Sequence, residues 1–527
     1  MGEWWEGAVC YQIYPRSFAD SNGDGIGDLA GITEHLDHLE WLGIDAIWLS
    51  PTFPSPNADW GYDVADYLGV HRDLGTSADL DELIAAARTR DIKVLLDLVP
   101  NHTSIEHPWF VDARSSRDAQ HRDWYVWADP LPDGRPPNNW VSSFMGKAWT
   151  LDEATGQMYL TNFLPEQADL NWWNDEVRDA FDAILRFWFD RGVAGFRIDV
   201  AHMIVKDRDL RDNPPASAAD PVLAQLRGQR SVYNSNRPEV HDVHRRWRRI
   251  ADEYDPPRLL VGETFVDRVE ELIPFYGRGD ELGLAFNIPF LQAPFDAPTL
   301  RALVETTESL VPDGCMPVWT GSNHDVSRLP TRWAAGNEAA TRCALVMLLT
   351  LRGTAFLYYG DELGMRDTDV PRDRLLDPVS IAFAPVHNRD AARTPMPWNG
   401  APGAGFTAAG VEPWLPFGDV GHCNVADQRA DDASVLHLVH DLIALRRTLP
   451  ALTTGAYDTV ATDGGLWAWR RGGDALIAVN LADDAASLDD VRGTIRISTD
   501  RTRDGEAVDG TLRLDAWQAV VVEHASK

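Results

Sequence analysis

The sequence predicts an α/β fold, an eight-stranded parallel (β/α)8 TIM barrel with an inserted domain after its third strand and a C-terminal antiparallel β domain. Three observations point there. Short apolar runs alternate with amphipathic stretches through most of the 527 residues, as repeated strand–helix units do. Segments bearing acids, histidine or arginine follow those runs directly, as when polar groups gather at the carboxyl ends of barrel strands. From about residue 456 the pattern changes to brief apolar runs separated by Gly and Asp, the mark of a small antiparallel sheet.

The elements follow in order. Val9–Tyr14 is apolar and aromatic, and the amphipathic Ile32–Leu42 comes after a polar loop. Ala46–Leu49 leads to a helix over 79–89, behind Thr76 and Ser77, either of which can cap it. Lys93–Val99 opens the third unit. A helix over 175–191 has acids in its first turn and Gly192 just past its end. It feeds the strand 195–199, and 259–263, 283–286, 317–321 and 355–359 complete the count of eight. Cys343–Leu351 is too short to span a membrane and reads as a buried helix. Two stretches interrupt the alternation. Residues 103–170, rich in Trp, Pro, Gly and Asn, form the inserted domain, and 361–430 form an extended loop region after the eighth strand. The barrel thus covers 1–102 and 171–455, and the β domain 456–527.

Composition narrows the partners. A formal net charge of −33 would repel nucleic acid and anionic membranes, which leaves small-molecule chemistry. The segment Met1–Glu6 lacks the basic start and apolar core of a secretory signal. Four widely scattered cysteines, 10, 315, 343 and 423, suit reduced thiols, so the expected location is cytoplasmic.

The strand ends supply the chemistry. Asp199 and Glu263 follow adjacent strands, whose termini stand about 5 Å apart, the spacing at which a carboxylate nucleophile and an acid/base cleave a glycosidic bond with retention. Asp199 suits the nucleophile and Glu263 the acid/base, which must begin protonated. Arg197, two residues before Asp199 and on the same side of the strand, keeps that carboxylate ionised and aimed. Asp325 would be a third carboxylate stabilising a cationic transition state. His102 and His324 would donate to sugar hydroxyls, and Tyr62 offers a ring face for a pyranose.

These residues lie in segments that resemble a known family. Asp97–His102, Gly195–Asp199, Gly262-Glu263 and Asn323-His324-Asp325 look like the conserved regions of the α-amylase family, glycoside hydrolase family thirteen, over essentially the whole chain. The resemblance implies the barrel, the inserted domain, the C-terminal β domain, a retaining mechanism on α-glucosidic bonds and the roles given above. Trp5–Phe18, Gln167-Ala168-Asp169-Leu170-Asn171 and Arg393–Trp398 are similar to the oligo-1,6-glucosidase and α-glucosidase branch, although Ala168 stands where that branch has proline. In that branch an aspartate before the tyrosine pairs with an arginine to close the pocket's non-reducing end. Asp59 and Arg393 match those positions, with Arg389 a second candidate for the arginine.

An exo-acting α-glucosidase on short α-glucosides is therefore expected, with some transglucosylation. Val200 resembles the residue associated with α-1,6 activity, but its neighbours also resemble maltose-accepting enzymes. Alternatives are a trehalose synthase-like maltose or sucrose isomerase, or an oligo-1,6-glucosidase. The Arg-Leu-Asp-Arg-Asp stretch associated with isomaltulose synthases is absent after Asp325, where Val326-Ser327-Arg328-Leu329-Pro330 stands.

Asp20–Asp28 alternates oxygen-bearing residues, with Gly25 at the sharp turn, the logic of a calcium loop. It departs from an EF-hand, since Gly31 occupies position twelve. The resemblance carries over Asp20, Asn22, Asp24, the Ile26 carbonyl and Asp28 as ligands of a structural Ca2+, with Mg2+ an alternative occupant.

Overall fold

The computed structural model describes residues 2–384 and 387–524. Eight parallel strands curl into the barrel: β1 (Val9–Ile13), β2 (Ala46–Leu49), β3 (Lys93–Leu98), β4 (Gly195–Ile198), β5 (Leu259–Gly262), β6 (Leu284–Ala285), β7 (Val318–Thr320) and β8 (Thr354–Tyr358). Their order around the sheet is β6-β5-β4-β3-β2-β1-β8-β7. The ladder runs from β6 round to β7, and the Tyr276 hydroxyl bridges the Ala285 and Met316 carbonyls at 3.5 and 3.1 Å beside the gap between those two.

The barrel interior is one apolar cluster that includes Cys10, Ala46, Trp48, Leu95, Leu259, Val261, Leu284 and Phe356. Strand side chains alternate between faces. Since Leu95 points inward, so does Asp97. Register then pairs Asp97 with Arg197 across β3 and β4, so the strand ladder itself brings this acid and this cation together. Gly195 is obligatory where β4 meets β5, because a Cβ there would lie 2.2 Å from the Leu259 carbonyl oxygen.

The surrounding helices obey the local signals. Thr76 caps the helix Ser77–Thr89 in a reciprocal box with Asp79. Asn174 caps Asp175–Asp190, which buries Val177, Phe181, Ile184, Leu185 and Trp188 on one face. Cys343–Leu351 lies almost entirely within the helix Glu338–Thr350, whose residues from Cys343 on are all buried.

The insertion is stapled at its base. His102–Ser104 pairs antiparallel with Gln167–Asp169, so both ends of the excursion meet above β3. Between them a three-stranded sheet (Trp127–Ala128, Trp149–Asp152, Gln157–Leu160) packs on its own cluster around Trp140 and Trp149. A six-stranded antiparallel sheet closes the chain, built from Tyr457–Val460, Leu466–Arg471, Ala475–Asn480, Ala486–Ser498, Ala507–Leu514 and Ala519–Glu523.

Candidate active site

The strands deliver their polar groups to one end of the barrel. Arg197 is the hub. Its Nη1 donates to Asp97 Oδ1 at 2.7 Å and to Asp199 Oδ1 at 2.8 Å, and its Nη2 lies 2.8 Å from Glu263 Oε2. Asp97 is held from behind by Trp48 Nε1 and Tyr62 Oη, at 3.2 and 3.1 Å. Its side chain is fully buried, whereas Asp199, Glu263 and Asp325 keep 9, 12 and 30% of theirs exposed. That contrast sorts the acids. Asp97 anchors the cation, and the other three reach open space.

The backbone after Asp199 is strained. Val200 sits at φ +36, a region that β-branched residues rarely enter. The turn aims the Val200 N–H at Glu263 Oε2, 3.0 Å away. One segment thus presents the Asp199 carboxylate and restrains Glu263.

Asp199 and Asp97 share one guanidinium and titrate as a coupled pair. Burial pushes Asp199 well above the ordinary carboxylate range; Arg197 opposes this, and Glu263, Asp97 and Asp325 add to it. Burial likewise raises Asp97, to about 7, against the pull of Arg197.

Asp325 has the opposite setting. Burial would raise it, but His324, Arg389, Arg393 and Arg197 outweigh burial and hold it well below the usual range. His324 is itself pushed down to about 3 by burial, so it is neutral and the arginines carry the effect. Gln12 Nε2 donates to His324 Nδ1 at 2.8 Å, which leaves the proton on Nε2, facing Tyr62 Oη at 2.5 Å and Asp325 Oδ2 at 3.3 Å. Tyr62 lies parallel to the His324 ring with centroids 5.4 Å apart and is 6% exposed. The strip it leaves open to a sugar is narrow.

The far wall corrects one expectation. Asp59 pairs with Arg389, whose Nη2 lies 2.8 Å from Asp59 Oδ1. Arg393 instead donates to Asp325 Oδ1 at 2.8 Å and to the His324 carbonyl at 2.8 Å. The reason is register in the turn Asp390–Ala392: one helical turn separates the two arginines, so only the earlier reaches across to Asp59. Both grip a residue that sequence reading passed over. Asp377, wholly buried, accepts from Arg389 Nε at 3.0 Å and from Arg393 Nη1 at 3.3 Å. Burial raises Asp59 to about 6, with Arg389 pulling down and Asp377 pushing up.

His102 and Gln167 complete the rim. His102 Nε2 lies 2.9 Å from the Tyr62 carbonyl, and Gln167 Nε2 donates to Asp59 Oδ2 at 3.1 Å. Burial lowers His102 to about 4, so it too is neutral. Asp97, Asp377 and Gln12 have no expectation behind them. For Asp97 the available signal was its position two residues beyond the inward-facing Leu95.

The loop Asp20–Asp28 is held by side chain–backbone hydrogen bonds. Asp20 Oδ1 accepts from the Gly23 N–H at 2.7 Å, and Asn22 and Asp24 each accept from the N–H two residues on, at 2.9 Å. Asp28 caps the next helix through the Gly31 N–H at 2.7 Å. Gly25, at φ +87, lies against the Glu412 carbonyl, where a Cβ would come within 2.3 Å. Each carboxylate oxygen has two lone-pair sites; those of Asp20 are taken by Asn22, Gly23, Gly25 and Thr407 and those of Asp28 by Ser21 and Gly31, so the free acceptor sites of the loop lie on Asn22 and Asp24, and a hard cation would have to displace some of these bonds.

Comparison with known proteins decides the lineage. A family model described as the alpha amylase catalytic domain matches residues 12–455. The chain belongs to the alpha-amylase family. It is a glycoside hydrolase by that membership. Within the alpha-amylase family it is 42% identical to a probable alpha-glucosidase of Rhizobium meliloti (strain 1021), over 98% of this chain and 96% of the relative. It is 37% identical to an oligo-1,6-glucosidase of Heyndrickxia coagulans, over 93% and 94%. The crystal structure of the alpha-glucosyl transfer enzyme XgtA superposes with a TM-score of 0.93 at 40% identity, covering both chains completely. The trehalulose synthase MutB follows at 0.90 and 32%, covering 99% of this chain and all of the other.

Proposed function

We propose that this member of the alpha-amylase family is an exo-acting retaining α-glucosidase that removes one glucose at a time from short α-glucosides. The observation that carries the reading is the pairing of Asp199 and Glu263 on one guanidinium, with the Asp59–Arg389 ion pair standing behind Asp325. An ion pair across the far wall leaves room for a chain end and none for a continuing chain.

In the first step an Asp199 oxygen attacks the anomeric carbon while Glu263 gives its proton to the departing glycosidic oxygen. The C–O bond to the aglycone breaks, and a glucosyl ester forms on Asp199. In the second, Glu263 takes a proton from water, the oxygen attacks the same carbon, and Asp199 leaves as carboxylate. Two inversions give net retention. Asp325 lowers the barrier by its fixed negative charge beside the developing cation. Arg389 and Arg393 keep it ionised, and the neutral His102 and His324, whose single N–H groups face the Tyr62 carbonyl and the Tyr62 hydroxyl, fix that tyrosine beside the sugar rather than donating to sugar hydroxyls. Arg197 turns Asp199 toward the reacting carbon.

The loop Asp20–Asp28 would hold a structural Ca2+ through Asp20, Asn22, Asp24, the Ile26 carbonyl and Asp28, cross-linking the segment after β1, away from the reaction. A cytoplasmic site of action fits four cysteines that are all unpaired. Among the described residues no helix is long and apolar enough to cross a membrane.

The test is a substrate panel of maltose, isomaltose, sucrose, trehalose and p-nitrophenyl α-glucoside, with the first-formed anomer followed by NMR. Release of α-glucose from non-reducing ends is expected, and initial β-glucose or internal cleavage would reject the reading. The trehalulose synthase and glucosyl-transfer neighbours support a second reading, a transglucosylase or sucrose isomerase. Sucrose converted to an isomeric disaccharide with little free glucose would favour it.

A further inference from the structure

The helix Val240–Ala251 carries His241 and His244 three residues apart, and so on one face. Glu281 stands opposite them, three residues before β6. The ligand atoms of these three side chains lie within 4.8 Å of one another, the one such group of His, Cys, Asp or Glu among the described residues. His241 Nδ1 is 2.7 Å from Glu281 Oε2. His244 is fully buried, and neither ring nitrogen has a hydrogen-bond partner. Buried imidazoles almost always find one. Beside the group a solvent-connected cavity of about 510 Å3 is lined by His241, Arg245 and Glu281. None of the three belongs to the catalytic cluster.

We propose that His241, His244 and Glu281 form a binding site for one divalent transition-metal ion, zinc in the first place. Two imidazoles and a carboxylate are the donor set zinc favours, with a fourth position left for water from the cavity. Metal–ligand bonds of about 2.0–2.2 Å require the His241–Glu281 contact to open and His244 to turn toward it. One outer contact is in place. Arg245 Nη2 lies 2.7 Å from Glu281 Oε1, leaving Oε2 for the ion. Carboxylates that bind metals are commonly braced in this way. An ion here would tie the helix to the turn before β6.

The experiment titrates the metal-free full-length protein with Zn2+ by calorimetry, and with Co2+ by visible absorption, in wild type, His244→Leu, His244→Asn and an Asp20→Asn/Asp24→Asn double variant. One tight equivalent is expected in wild type and in the loop variant. Both His244 variants should bind at least tenfold more weakly while keeping metal-free glucosidase activity within about twofold. The Co2+ complex should show the intense bands of a four-coordinate site. Absence of a tight equivalent, undiminished binding in either folded His244 variant, or binding lost only in the loop variant overturns the proposal. Should His244→Leu fail to fold, His244→Asn carries the comparison.

Discussion

Replacing Asp377 by Asn removes a charge from the buried centre of the far wall. Two cations, Arg389 and Arg393, there meet three carboxylates, Asp59, Asp325 and Asp377, and Asp377 has no exposed side-chain surface. Asparagine keeps the shape but turns an N–H2 toward guanidinium donors. Removing one partner of a buried ion pair costs about 3–5 kcal/mol. Because both arginines retain another carboxylate, the lower end applies, about 3 kcal/mol of stability. Catalysis suffers separately, since the same arginines aim Asp59 and Asp325. A loss of about a hundredfold in kcat/KM, roughly 2.7 kcal/mol, is expected on p-nitrophenyl α-glucoside.

The sign of the pH dependence follows from the charges. Burial raises Asp377, but Arg389 and Arg393 outweigh it and hold the carboxyl below its ordinary 3.8. Its stabilising contribution is therefore fully present above that value and fades as pH falls through the depressed one. Urea melts of both proteins should differ by a constant amount from pH 5 to 7 and converge in stronger acid. Asp377 also helps raise Asp59, so the variant's acid limb of kcat/KM should move to lower pH. A stability loss under about 1 kcal/mol, with kcat/KM within threefold of wild type, would refute the claim that Asp377 sets the two arginines.

Asp199→Asn should abolish turnover on every substrate, whereas Glu263→Gln should lose about 10²–10⁴-fold in kcat/KM on maltose and much less in kcat/KM on p-nitrophenyl glucoside, whose leaving group needs no proton; kcat/KM on both substrates separates the roles. Arg389→Lys should raise KM for terminal glucosides through loss of the Asp59 contact, while Arg393→Lys should lower kcat through Asp325, and an identical split in both would remove the distinction. Added Ca2+ should raise the melting temperature of chelator-treated wild type but not of chelator-treated Asp20→Asn/Asp24→Asn, as read by thermal shift.

Strand ends were legible in the sequence because parallel barrel strands are buried on both faces and read as unbroken apolar runs such as Leu95–Leu96 and Leu259–Val261. The acids that follow them were found for the same reason. Asp377 was not, since 361–430 lies beyond the strands and has neither period to mark its inward positions. The choice between Arg389 and Arg393 failed likewise: a single helical turn, Asp390–Ala392, decides which guanidinium reaches Asp59, and spacing alone cannot say. Asp97 stood in plain sight inside an apolar strand, but its value as an anchor emerges only from the ladder that sets it opposite Arg197.

Asp59 and Arg389 are 330 positions apart, contributed by loops after the second and eighth strands, while bond breaking is entrusted to residues on strands four, five and seven. The gatepost and the scissors are thus mounted on different struts. Lengthening or reshaping either loop would let evolution admit longer, branched or differently linked guests without disturbing the machinery that severs them.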